Sequence, residues 1–135
     1  YEISACRVGS EMCIRDRLRI ELPYPPSDLR PNKSRTRYWR KNAETARSFK
    51  ALCRVELRAQ GVGKIDADKL HISLTYCPKD RGRRDLDADL SASKALIDAL
   101  SDALGVDDQH FSYSLFRGEV VEGGIVRIII TEENE

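Results

Sequence analysis

The sequence predicts a single α/β sandwich of α+β character, a mixed β-sheet with two main helices packed on it in the order β-α-β-α-β-β. Three observations carry that expectation. "LRIELP" (18–23) and "KLHISLTYC" (69–77) alternate apolar and polar residues with the period of a half-buried strand. Two stretches, after Asn42 and after residue 88, repeat their apolar residues at helical spacing. "GIVRIII" (124–130) is rich in the β-branched residues of a buried strand.

In the first strand Leu18, Ile20 and Leu22 share one face, with Arg19 and Glu21 on the other. "PYPPSDLRPN" stops it, because each proline fixes φ and removes a donor. "KSRTRYWRK" then interleaves basic residues with Tyr38 and Trp39. Asn42 is the expected N-cap of a helix running to about Gln60 and ended by Gly61, with an apolar side at Phe49, Leu52, Cys53 and Leu57. The second strand places Leu70, Ile72, Leu74 and Tyr76 on one face. A basic turn, "PKDRGRR", leads to a helix over 88–104 with Leu90, Ile97, Leu100 and Leu104 inward and Gly105 as its stop. Two final strands, 111–121 and 125–131, are joined by "EGG", which reads as a hairpin. Residues 1–17 show neither period, resemble translated sequencing-adapter peptide, and read as a non-native segment or disordered arm ahead of a domain at 18–135.

A chain of 135 residues suits one core, and 41% hydrophobic with 33% charged residues suits a soluble domain. No apolar run approaches the roughly 20 residues that span a bilayer, and no secretory signal is legible. Cys6, Cys13, Cys53 and Cys77 have no CxxC spacing and there are two histidines, which argues against zinc and for reduced thiols in a cytoplasm. The net charge of +1 hides a division: residues 18–58 hold eleven Lys/Arg against four Asp/Glu, whereas 85–135 hold three against twelve. The basic part suits a phosphate backbone, although a solvated surface explains it equally.

The division is sharpest at "RGRRDLDADL" (81–90). If Asp85 to Asp87 is extended, both carboxylates face one way and Leu86 the other. Along the following helix Asp87, Ser91, Lys94 and Asp98 form one polar stripe, seven residues bringing Lys94 back to within about 20° of Asp87. Asp107 and Asp108 reach this cluster only if the strand after them lies beside the strand ending near Cys77. Crowded carboxylates repel one another, and a hard divalent ion relieves the repulsion. Mg²⁺ takes a few carboxylates and leaves positions for water or phosphate, which suits phosphodiester hydrolysis. Each part alone has an ordinary explanation: a helix cap at Asp87, a turn at "VDD", a surface pair between Lys94 and Asp98.

Four stretches, "LPYPPSDLRPN", "RRDLD" with "KALIDAL", "GVDDQHF" and "GGIVRIIITE", occur in order over nearly all of 18–135. Together they resemble the RusA-type Holliday junction resolvases. The resemblance implies a homodimer in the cytoplasm that nicks four-way DNA junctions symmetrically with Mg²⁺, or Mn²⁺ in its place, in recombination and repair. It implies metal binding by Asp85, Asp87 and Asp108 (Asp107 being the alternative) and an essential lysine at Lys94. Arg37, Arg40, Arg81, Arg83 and Arg84 would contact DNA. Two departures stand out. Ala88 occupies the place where many members carry Asn, and Lys94 lies seven residues past the second motif aspartate rather than four. The competing expectations are a DNA-binding module without catalysis and a metal-dependent nuclease acting on flaps or single strands.

Overall fold

The computed structural model describes residues 3–8, 11–29, 39–82 and 85–132. They form strands β1 (Ile3–Val8) and β2 (Glu11–Pro23), helix α1 (Trp39–Ala59), strand β3 (Leu70–Cys77), helices α2 (Leu86–Ala92) and α3 (Lys94–Leu104), and strands β4 (Phe111–Arg117) and β5 (Ile125–Glu132). The expected mixed α/β domain is what forms. One sheet runs in the order β1-β2-β5-β3-β4. β5 is antiparallel to both β2 and β3, and β4 is parallel to β3.

Alternation decides which face is covered. Leu18, Ile20 and Leu22 of β2, Leu70, Ile72, Leu74 and Tyr76 of β3, and Val126, Ile128 and Ile130 of β5 are all 2% exposed or less. They pack against Phe49, Cys53 and Leu57 of α1 and Leu96, Leu100 and Leu104 of α3 in one core. Arg54 and Lys50 of α1 both reach Asp102 of α3, at 2.6 and 3.2 Å, and tie the two helices at their rim. The opposite sheet face is polar and partly open, and there His71 of β3 bonds Ser112 and Ser114 of β4 at 2.7 and 2.8 Å.

The elements differ from expectation in five places. The backbone of residues 3–8 forms a strand on β2, which itself reaches back to Glu11, where the sequence shows no strand period. α1 begins at Trp39, three residues before Asn42, because Arg40 and Lys41 are good helix formers. Leu52 is 48% exposed. It stands about 100° from Cys53 around the helix, off the buried stripe. The single helix expected over 88–104 is broken at Ser93, whose hydroxyl donates to the Asp89 carbonyl at 2.7 Å and competes with the helical ladder. The expected hairpin does not exist: β4 and β5 lie on opposite sides of β3. Their link crosses the end of β3, with Gly118 N–H donating to the Tyr76 carbonyl and Val121 N–H to that of Pro78, both at 2.9 Å. Only glycine fits at 118, since a Cβ there would lie 2.5 Å from Cys77 Sγ. Gly105 ends α3 at φ 71°, as expected of a left-handed stop. Among the described residues no helix is long and apolar enough to cross a membrane.

Candidate functional site

Ligands of open α/β sheets bind beyond the carboxyl ends of parallel strands, where the chain changes direction in the sheet. Here those ends are Cys77 of β3 and Arg117 of β4, and the chain crosses from one side of β3 to the other just above them. A cleft of about 490 Å³ opens at this place, with Tyr24, Tyr76, Arg81, Asp85, Asp89 and Arg117 among its walls. Its size is ordinary for a binding site.

The wall is held by a chain of hydrogen bonds. The Tyr24 hydroxyl donates to Asp89 Oδ1 at 3.0 Å, and Asp89 is 2% exposed. The Tyr24 ring meets Tyr76 edge-on, with centroids 5.9 Å apart at 73°. Tyr76 in turn shares a 2.9 Å hydrogen bond with Ser93. Burial pushes the Tyr76 phenol up to about 12, so it is a neutral structural hydroxyl at physiological pH.

Asp85 is the N-cap of α2, extended at φ −102° and ψ 137°, yet its side chain makes no capping hydrogen bond. The exposed carboxylate instead lines the cleft. The expectation that Asp85 and Asp87 face one cavity fails for a local reason. The helix begins at Leu86, so Asp87 is turned about 200° from Asp85 rather than back onto its side. Asp89, four residues on, returns to the Asp85 side and lines the cleft in its place. Asp87 is exposed and outside it.

Lys94 opens α3 with its side chain 80% exposed and pairs with Asp98 at 3.9 Å. Asp107 caps the turn before β4, accepting from Gln109 N–H at 3.1 Å. Asp108 lies near Tyr113, whose phenol is raised by burial and then by the charges of Asp108 and Asp98. β4 does lie beside β3, but parallel to it, with Phe111 opposite Leu70. Asp107 and Asp108 therefore lead into the end of β4 that pairs with Leu70, whereas Asp85 lines the cleft beyond Cys77. Among the described residues no three His, Cys, Asp or Glu side chains come close enough to hold a metal. The set Asp85, Asp87 and Asp108 is not assembled here.

Arg81 is exposed and lines the cleft. Arg37, Arg83, Arg84 and the side chain of Arg40 lie outside the described residues. Sequence reasoning missed Tyr24, Asp89, Ser93 and Arg117. The i, i+4 spacing of Asp85 and Asp89 was the available signal, legible once the helix is started at Leu86.

No family model matches the chain. It is 29% identical over 133 residues to an uncharacterized protein of Xylella fastidiosa (strain Temecula1), a match covering 96% of this chain and 84% of that protein.

Proposed function

We propose that the protein is a structure-selective endodeoxyribonuclease of the RusA type, which nicks four-way DNA junctions as a homodimer in the cytoplasm and serves recombination and repair. The observation that carries the reading is the position of Asp85. It is the first aspartate of "RRDLD", and it faces a cleft beyond the ends of two parallel strands together with Arg81 and Arg117. The cations suit a phosphodiester, and Asp85 puts a negative charge beside it. Mg²⁺ at such a place supplies an activated water and neutralises developing oxyanion charge. One or two carboxylates with substrate phosphate oxygens suffice for that ion. Asp85 fits this role, whereas the three-aspartate set is not brought together among the described residues. The contribution of the chain itself is to hold the phosphate with Arg81 and Arg117, to keep the wall rigid through Tyr24, Asp89 and Ser93, and to present Asp85. A two-fold dimer matches the two symmetry-related phosphates of a junction.

The test is single-turnover cleavage of a four-way junction, a duplex and a single strand, each with and without Mg²⁺. Paired nicks in the junction alone, dependent on Mg²⁺, support the reading. Junction binding without cleavage under any condition replaces it with a DNA-binding module.

A further inference from the structure

A second, smaller cavity of about 190 Å³ lies against the cleft. Its walls include Pro25, Pro26, Lys79 and Gly124. Among the described residues Tyr24 is the one side chain that lines both cavities. Its hydroxyl is fixed by Asp89 and its ring is braced edge-on by Tyr76, so the partition between the two cavities is held from two sides. Gly124 permits this placement: at φ 74°, a Cβ there would lie 3.0 Å from Tyr24 Cβ. Cations stand in both cavities, Lys79 in the smaller and Arg81 with Arg117 in the larger, where they share the wall with Asp80, Asp85 and the Tyr24-bonded Asp89.

A fixed aromatic ring between two hollows, with cations distributed along both, is the arrangement that takes an unpaired nucleic-acid strand. Successive bases of such a strand are free to stack on aromatic side chains while the backbone follows positive charge. A fully paired duplex offers no free base face to these hollows. We infer that Tyr24 divides two nucleotide subsites, and that the site recognises DNA through unpaired nucleotides on either side of this ring. The inference rests on the nuclease reading and narrows it: the feature engaged is the unstacked strand at a branch point or flap, with paired arms held elsewhere. Tyr24 has two separable functions, a ring that meets bases and a hydroxyl that holds Asp89.

The test uses the full chain in EDTA, with binding of a fluorescein-labelled short oligothymidylate and of a duplex of equal length followed by anisotropy. The wild type is expected to bind the single strand more tightly than the duplex. Tyr24→Phe keeps the ring and should stay within about twofold, whereas Tyr24→Ala should lose about 5- to 150-fold, the range for removing one stacked base. Lys79→Gln changes an exposed side chain, and should reduce the slope of log affinity against log salt by about 0.7. Equal binding of Tyr24→Ala and wild type overturns the inference, as does a wild type that prefers duplex. If Tyr24→Ala does not fold, Lys79→Gln decides, and an unchanged salt slope overturns it. Because no metal or cleavage is involved, failure of the nuclease reading shows separately: a protein that binds oligothymidylate through Tyr24 but never cuts keeps the subsites and loses the enzyme.

Discussion

Ser93→Ala removes one oxygen from the protein, the hydroxyl at the break between α2 and α3. Ser93 is fully buried and bonds both the Asp89 carbonyl at 2.7 Å and the Tyr76 hydroxyl at 2.9 Å. The change in volume is too small for a cavity term to matter. The cost comes from the Tyr76 hydroxyl, which is left in a 1% exposed residue without this partner. An orphaned buried hydroxyl costs about 1–3 kcal/mol, so the expected loss is about 2 kcal/mol. For a chain of this length that lowers Tm by about 6–10 °C. Tyr76→Phe alone should cost about 1 kcal/mol, because Ser93 keeps its bond to the Asp89 carbonyl. The double variant should be no less stable than Ser93→Ala, since it removes the orphan along with its partner. The assay is urea unfolding of the four proteins at a common m-value, read as a double-mutant cycle. A loss under about 0.5 kcal/mol for Ser93→Ala, or strict additivity of the two changes, refutes the reasoning.

Three further outcomes follow from the same structure. Arg54 and Lys50 hold the Asp102 carboxyl below the usual carboxylate range. A depressed folded-state pKa gives stability that is present above the unfolded value and lost as pH falls through the folded one. Asp102→Asn should therefore cost about 0.2–1 kcal/mol at pH 7, discounted for exposure, and nothing near pH 2. A gap that persists in acid contradicts this. Deleting residues 1–16 removes β1 and the overhang of β2 but leaves the β2–β5 pairing from Leu18 to Pro23. The shortened chain should fold with its core intact, and insolubility or collapse of its near-ultraviolet spectrum shows otherwise. Burial, then the charge of Glu56, pushes the Cys53 thiol up to about 12. It should resist alkylation at pH 8 until the protein unfolds, as read by peptide mapping, and rapid native labelling contradicts its placement.

What was legible in the sequence was what repeats locally. The alternation of Leu18, Ile20 and Leu22 and of Leu70, Ile72 and Leu74 marks covered faces, and each of these side chains is buried. Gly105 marks the end of α3 because a left-handed residue is needed there. What was not legible was decided by partners remote in sequence. "EGG" offers a turn, but whether two strands pair across it depends on which strand the core draws to the centre. Here β5, apolar along its covered face, takes the place between β2 and β3. Ser93 interrupts a helical pattern where its hydroxyl turns back to the Asp89 carbonyl, and Tyr76, seventeen residues away, holds that hydroxyl as well. At the site the error was smaller and more consequential. Starting the helix one residue after Asp85 exchanges Asp87 for Asp89 in the cleft wall. The direction of β4 then carries Asp108 to the far end of the sheet.

The proposal that the chain cuts branched DNA at the cleft where Asp85 lies meets its sharpest test in Asp85→Asn. The substitution keeps the shape and removes the charge of an exposed side chain that makes no capping bond, so the fold should be unaffected. The measurement is single-turnover nicking of a four-way junction with Mg²⁺, alongside junction affinity without metal, for wild type and variant. The wild type should give paired nicks and Asp85→Asn should lose them, while its affinity should equal or exceed that of the wild type, because a negative charge near phosphate has been removed. Nicking by Asp85→Asn at the wild-type rate would contradict it.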